Sequence, residues 1–151
     1  MNTTVTSTEA MQEFGEQLGS ALKGGEVIEL IGDIGAGKTT LTKGIGKALQ
    51  VDDDVQSPTF TLSRVYESPS GITLAHYDFY RLPDPGVLRM ELAEMTTGEH
   101  NVTVIEWADV VADVLPSDRL QITIRATADD ARILKLHADG PRSQALIEAI
   151  A

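Results

Sequence analysis

The chain has 151 residues, 42% hydrophobic and 23% charged, which suits one globular domain with room for a real core. A net charge of −11, with only 12 Lys and Arg scattered along the chain, argues against an extensive direct grip on nucleic acid, because phosphate contacts need clustered cations. Cysteine is absent, which excludes disulfides and thiolate metal sites; no apolar run approaches membrane-spanning length and residues 1–7 carry no basic-then-apolar pattern, so a cytoplasmic protein without membrane attachment is expected.

In chain order, a weak strand at residues 2–5 precedes Thr6-Ser7-Thr8-Glu9, which resembles a capping box. Met11, Phe14, Leu18, Ala21 and Leu22 then recur at helical spacing, and Gly24-Gly25 ends that helix. Residues 27–31 form a short apolar, β-branched strand, and residues 40–49 read as a helix with Leu41, Ile45, Ala48 and Leu49 on one face. Asp52-Asp53-Asp54 reads as a solvated turn rather than a cation site, since nothing fixes a coordination geometry. Pro58 interrupts the approach to a strand at 61–66, which pairs through the turn Ser68-Pro69-Ser70-Gly71 with a returning strand at 72–78. A short helix at 85–95 is expected to bury Val87, Leu88, Leu92 and Met95. A strongly β-branched strand follows at 102–106, then one or two helical turns at 109–115. Strands at 120–126 and 132–138 form a second hairpin around Asp129-Asp130, and a terminal helix at 141–151 presents Ala145, Leu146 and Ile150. The pattern implies an α/β, three-layer domain spanning 1–151, with a mixed central sheet and flanking helices.

The stretch around which this is organised is Gly32-Asp33-Ile34-Gly35-Ala36-Gly37-Lys38-Thr39, which fits the phosphate-binding loop G-x-x-x-x-G-K-[ST] at every fixed position. The glycines let backbone N–H groups curl inward around a polyphosphate. Lys38 can reach the β- and γ-phosphates, Thr39 offers a hydroxyl to Mg²⁺, and the strand before and helix after place the phosphates at a helix N-terminus. Such a site needs a further carboxylate at the end of a neighbouring strand. Asp78 and Glu106 both qualify, one to hold metal and one to orient water, and spacing does not say which does which. No Asn-Lys-x-Asp segment occurs, which disfavours guanine, and no Arg-rich lid of a nucleotide kinase is seen.

Taken together, residues 32–40, Ser57-Pro58-Thr59-Phe60-Thr61, His76-Tyr77-Asp78-Phe79-Tyr80-Arg81 and Glu106-Trp107 resemble the TsaE family, formerly YjeE, over residues 7–140. The family is a set of small bacterial ATPases needed to make threonylcarbamoyladenosine on tRNA. The resemblance implies a P-loop NTPase-like fold and ATP with Mg²⁺ as ligands. It implies a phosphate wrap by Gly32, Ile34, Gly35, Ala36, Gly37, Lys38, Thr39 and Thr40. It implies metal ligation by Thr39 and Glu106 with support from Asp78, so that Lys38, Asp78 and Glu106 carry the catalysis. Thr59 and Thr61 would lie on a switch-like segment near the γ-phosphate, and Ser7 with Thr8 would approach the adenine. Arg132 would approach the nucleotide from the far hairpin. Trp107 would pack beside the nucleotide site, unless it is an ordinary core aromatic. His76 and Tyr80 would be structural partners within their motif. The implied partners are TsaD and TsaB, which would hold most of the tRNA. Two departures touch the adenine contacts and the partner surface: the segment Leu82-Pro83-Asp84-Pro85-Gly86 lacks the family's Leu-Gly pattern, and Met11 stands where a small polar residue is common. An ATP-sensing module without turnover and a small-molecule kinase are the competing functions.

Overall fold

The structure, a computed structural model, describes all residues except 34, 52–54, 57, 59–61, 81, 83 and 129–130, and the side chain of 128. The readings placed on Ile34, Asp52 to Asp54, Ser57, Thr59, Thr61, Arg81 and the tip of the second hairpin therefore lie outside the described residues.

The elements are β1 (Asn2–Val5), α1 (Thr8–Ser20), β2 (Val27–Ile31), α2 (Lys38–Ala48), β3 (Ser63–Glu67), β4 (Thr73–Asp78), α3 (Leu88–Met95), β5 (Asn101–Glu106), a 3-10 helix (Ala108–Val114), β6 (Leu120–Ala128), β7 (Ala131–Ala138) and α4 (Pro141–Ile150). The seven strands form one sheet in the order β1-β7-β6-β2-β5-β4-β3. β2 runs parallel to both β5 and β6, and β4 parallel to β5, while β3 and β7 run antiparallel to their neighbours. The sheet is thus mixed, as expected. One face packs α1, α2 and α4 through Met11, Phe14, Leu18, Leu41, Ile45, Leu146 and Ile150 against Ile28, Leu30, Val102, Val104 and Ile122. The other face packs α3 and the 3-10 helix through Leu92, Ala108 and Val111 against Ala75, Tyr77, Phe79 and Ile105. The alternation of Leu74, His76 and Asp78 with Ala75, Tyr77 and Phe79 is the period-two consequence of this three-layer arrangement.

Several boundaries differ from the sequence reading. Ser7, not Thr6, caps α1: its Oγ accepts from Ala10 N at 3.0 Å. α2 begins at Lys38, two residues before the apolar periodicity starts, because Gly37 takes φ 112° and turns the loop directly into the helix. β3 begins at Ser63, since Leu62 sits at φ 68°, a left-handed conformation that does not continue a strand. α3 begins at Leu88 behind a turn with Gly86 at φ 56°, so Val87 is exposed rather than buried. The turns at 109–115 are a 3-10 helix. In α4, Ala145 faces solvent, and Ser143 is buried with Leu146 and Ile150. Asp118 caps that helix from outside it, accepting from Arg142 N and Ser143 N at 2.9 Å each. Burial alone would raise the Asp118 carboxyl, but the Ser143 and Arg142 donors outweigh it and hold it below its ordinary value.

α1 and α2 approach closely enough that only glycine fits at the crossing. A Cβ on Gly15 would fall 2.1 Å from Leu41 O, and one on Gly44 would fall 2.2 Å from Gln12 O. Since α2 carries the phosphate loop's helix on one end, this contact holds the loop against α1. Gly44→Ala is expected to cost about 1–3 kcal/mol or more, as overpacking does. Thermal unfolding should show a lowered midpoint, and an unchanged midpoint would mean that the crossing is not tight.

Candidate functional site

β2 ends in the sheet between β5 and β6, and the chain leaves it through Gly32 into the loop that opens α2. The register sets Leu30 beside Glu106, and Glu106 beside Asp78 on β4. Both carboxylates therefore stand at the C-terminal ends of parallel strands, on the sheet face covered by α2, next to the loop. This is where the crevice of an open α/β sheet lies.

The ammonium of Lys38 is folded inward. Its side chain is only 6% exposed, its Nζ donates to Gly32 O at 2.9 Å, and Glu106 Oε1 lies 3.7 Å away. The Trp107 ring covers it, with Nζ 4.2 Å from the ring centroid, a cation–π contact. Burial pushes the Lys38 ammonium below the ordinary lysine value, while the charges of Glu106, Asp78 and Asp33 pull it back up. Thr42 Oγ1 donates to Lys38 O at 2.8 Å, which ties the first turn of α2 together.

Glu106 is buried and divides its two oxygens: Oε1 faces Lys38, and Oε2 accepts from His76 Nε2 at 2.5 Å. Asp78, also buried, accepts from Tyr80 N at 2.9 Å through Oδ1. That bond and the one from Phe79 N to Glu106 O at 3.1 Å fix the chain where it leaves β4. Trp107 takes φ 55° and ψ 52°, a left-handed backbone uncommon for a large residue, at the start of the 3-10 helix. That conformation swings the indole off the strand and onto Lys38, with Tyr80 packed on it at 4.8 Å between ring centroids. Trp107 is half-buried, lying over the ammonium and also packing against the core cluster of Tyr77, Phe79 and Ala108.

Beside the loop lies a hollow of about 110 Å³. Ser7, Thr8 and Met11 from α1, Gly35, Ala36, Gly37 and Thr40 from the loop and α2, and Arg132 from β7 line it. Arg132 reaches the loop directly, Nε donating to Ala36 O at 3.2 Å. Thr39 and Thr40 are half-buried in the first turn of α2. Of the residues named from sequence, Gly32, Lys38, Asp78, Glu106 and Trp107 thus meet at the inner side of the loop. Ser7, Gly35, Ala36, Gly37, Thr40 and Arg132 meet at the hollow. Thr59 and Ile34 lie outside the described residues. Two residues make contacts that sequence reading did not give. Met11 serves the core and also lines the hollow, its Cε 3.0 Å from where a Cβ on Gly37 would be; its position in the first two turns of α1, beside Ser7, was the available signal. His76, read as a structural partner, touches the candidate metal ligand itself, and the signal was its spacing two residues before Asp78 on one strand.

The sequence model of the family described as "Threonylcarbamoyl adenosine biosynthesis protein TsaE" matches residues 5–134. The chain is 40% identical over 128 residues to the tRNA threonylcarbamoyladenosine biosynthesis protein TsaE of Bacillus subtilis, covering 85% of this chain and 79% of that one. It is also 40% identical over 138 residues to the TsaE protein of Streptomyces coelicolor, covering 87% and 93%. The crystal structure of Bacillus subtilis YdiB superposes with a TM-score of 0.83 at 32% identity, covering 99% of this chain and 93% of that one. On a match that runs through β1, the loop, both carboxylate strands and into β7, the chain belongs to the TsaE family, whose members take part in the biosynthesis of threonylcarbamoyladenosine in tRNA.

Proposed function

We propose that this protein is a Mg²⁺-dependent ATPase that serves threonylcarbamoyladenosine synthesis in the cytoplasm through the partner proteins TsaD and TsaB, which hold most of the tRNA. The observation that carries this reading is the buried ammonium of Lys38, seated in a glycine loop between a parallel strand and a helix N-terminus, with two strand-end carboxylates beside it. A structural lysine is rarely buried at the mouth of a crevice.

The donor set suits Mg²⁺. Thr39 hydroxyl and the Glu106 and Asp78 carboxylates are hard oxygen groups. Among the described residues no cluster of three or more His, Asp or Glu stands ready to hold a metal by protein alone. That matches an ion that binds through one or two carboxylates plus substrate phosphates. Thr39, Glu106 and Asp78 would hold Mg²⁺, which when bound would supply neutralisation of phosphate charge. The chain's own residues do the rest. The loop N–H groups and the α2 N-terminus hold the phosphates, and Lys38 exchanges Gly32 O and Glu106 for the phosphate oxygens. Asp78 orients a water for in-line attack on the γ-phosphorus. Ser7, Thr8, Met11 and Arg132 border the hollow where the nucleoside would lie.

Two substitutions separate these roles. Lys38→Ala is expected to weaken ATP binding and abolish turnover, and wild-type ATP affinity by calorimetry in a folded variant would count decisively against the assignment. Glu106→Ala is expected to damage Mg²⁺-dependent hydrolysis more than nucleotide binding, because the loop still holds phosphate; normal hydrolysis across a Mg²⁺ titration would move the metal role elsewhere.

Turnover by the isolated protein is expected to be slow. Rapid hydrolysis at such loops draws on an added cation worth about 10³–10⁵ in rate. Arg132, which reaches the loop, already commits Nε to Ala36 O and Nη1 to Ala131 O. Phosphate release at fixed Mg²⁺ and salt should therefore rise by at least about tenfold when TsaD and TsaB from the same organism are added, a small part of what a supplied Arg can give. Fast release alone, unchanged by partners that demonstrably bind, would make the protein a self-sufficient ATPase. Transfer of labelled γ-phosphate to an acceptor would make it a kinase, and binding without turnover in any mixture would make it a sensor.

A further inference from the structure

His76 is an expensive occupant of its position. It is fully buried on the same sheet face as Leu74, which fills the equivalent place two residues earlier with a plain aliphatic group. Among the described residues its Nδ1 has no hydrogen-bond partner, and neither has Nε of Arg64, the residue paired with it across β3 and β4. A buried polar atom left unpaired lowers stability. Packing alone would favour a leucine here, and the polar contact the imidazole makes among the described residues is Nε2 to Glu106 Oε2 at 2.5 Å.

That contact has a geometric consequence. The terminal torsion of a glutamate is broad, so an unrestrained carboxylate can turn either or both oxygens toward a cation. The His76 bond anchors Oε2 on the His76 side, and Oε1 is the oxygen turned toward Lys38. Resting on the reading of Glu106 as a metal ligand, we infer that His76 is a positioning residue that restricts Glu106 to one-oxygen ligation and so sets the choice of ion. Mg²⁺ demands a compact octahedron of single-oxygen ligands, whereas Ca²⁺ takes six to eight oxygens and readily accepts both oxygens of a carboxylate. A carboxylate pinned at one oxygen favours the smaller ion. The same bond keeps Oε1 aimed at the ammonium of Lys38, which holds the place of a cation at Glu106 until a metal takes it.

The test titrates the protein–ADP complex with Mg²⁺ and with Ca²⁺ for wild type, His76→Phe and His76→Gln. Phenylalanine keeps a ring in the core without a donor. Glutamine places an amide N–H near the position of Nε2. Affinity for ADP without metal is read in parallel, with the thermal midpoint of each variant. The expected result is metal-free ADP affinity unchanged within about twofold in both variants, because the loop N–H groups still hold the phosphates. Mg²⁺ affinity should fall about tenfold or more in His76→Phe, the usual loss when a ligand's supporting hydrogen bond is removed. Ca²⁺ affinity should fall less, so the Mg²⁺ preference narrows, and His76→Gln should recover most of it. Unchanged Mg²⁺ affinity and preference in His76→Phe would overturn the inference while leaving Glu106 as a ligand. So would equal losses of both ions in step with the thermal midpoint, unrelieved in His76→Gln, which is what a purely structural histidine would give. A wild-type protein whose ADP complex binds neither ion would remove the metal reading of Glu106 itself, and the inference with it.

Discussion

Lys38 places an ammonium where only 6% of its side chain meets solvent, and the structure answers that charge on three sides. A buried charge is tolerable only when paired and hydrogen-bonded. Here the partners are Gly32 O from its own loop, Glu106 from the neighbouring strand and the Trp107 ring from the residue after it. Each comes from a different constraint. The carbonyl follows from the curl of the loop, the carboxylate from the pairing of β2 with β5, and the ring from the left-handed backbone at Trp107. The cation is therefore held by groups drawn from the turn, the neighbouring strand and the residue after it.

The placement of those groups depends on strand order. β5 pairs with β2 on one side and β4 on the other, so the loop, Glu106 and Asp78 fall on successive strands at one end of the sheet. On the opposite side of β2 run β6 and then β7, and β7 carries Arg132 to the outer wall of the loop at Ala36. The glycine contacts between α1 and α2 bring Ser7 and Met11 to the same wall. Charged chemistry thus gathers at the inner side of the loop, and a shallow hollow with mixed apolar and hydroxyl lining forms beside it.

His76 belongs to both the core and the site. Its neighbours along β4 on this face are an aliphatic residue and a carboxylate, so one strand passes from packing to chemistry within five residues. The polar atoms at His76 and Arg64 that lack partners among the described residues mark that boundary, where the core gives up some satisfaction to hold a carboxylate in one orientation.

How far the chain alone could be read follows the range of each interaction. The strand, glycine-rich turn and helix around Lys38 were legible because they are local: the strand and the helix each carry their own periodicity, and the glycines between them mark the turn. The three-layer class was legible from alternating strand and helix patterns, and Asp78 and Glu106 stood out as carboxylates closing apolar runs. The order of the strands was decided only in three dimensions, because parallel pairing leaves no mark in the sequence of either strand. That Trp107 both packs on the core and lies over Lys38 could not be read from its neighbours in sequence, because its backbone is left-handed. Met11 was tied to the adenine contacts only through the family resemblance, and its contact with the turn at Gly37 depends on the glycine crossing that draws α1 against α2. Arg132 contacts Ala36 across 96 residues, a distance that only the β6–β7 hairpin and its place beside β2 could close. The sequence by itself determined the strand, turn and helix around Lys38 and the local chemistry their residue types carry. Which distant side chains share that chemistry was settled by sheet topology, since side chains meet across strands by register and not by spacing along the chain.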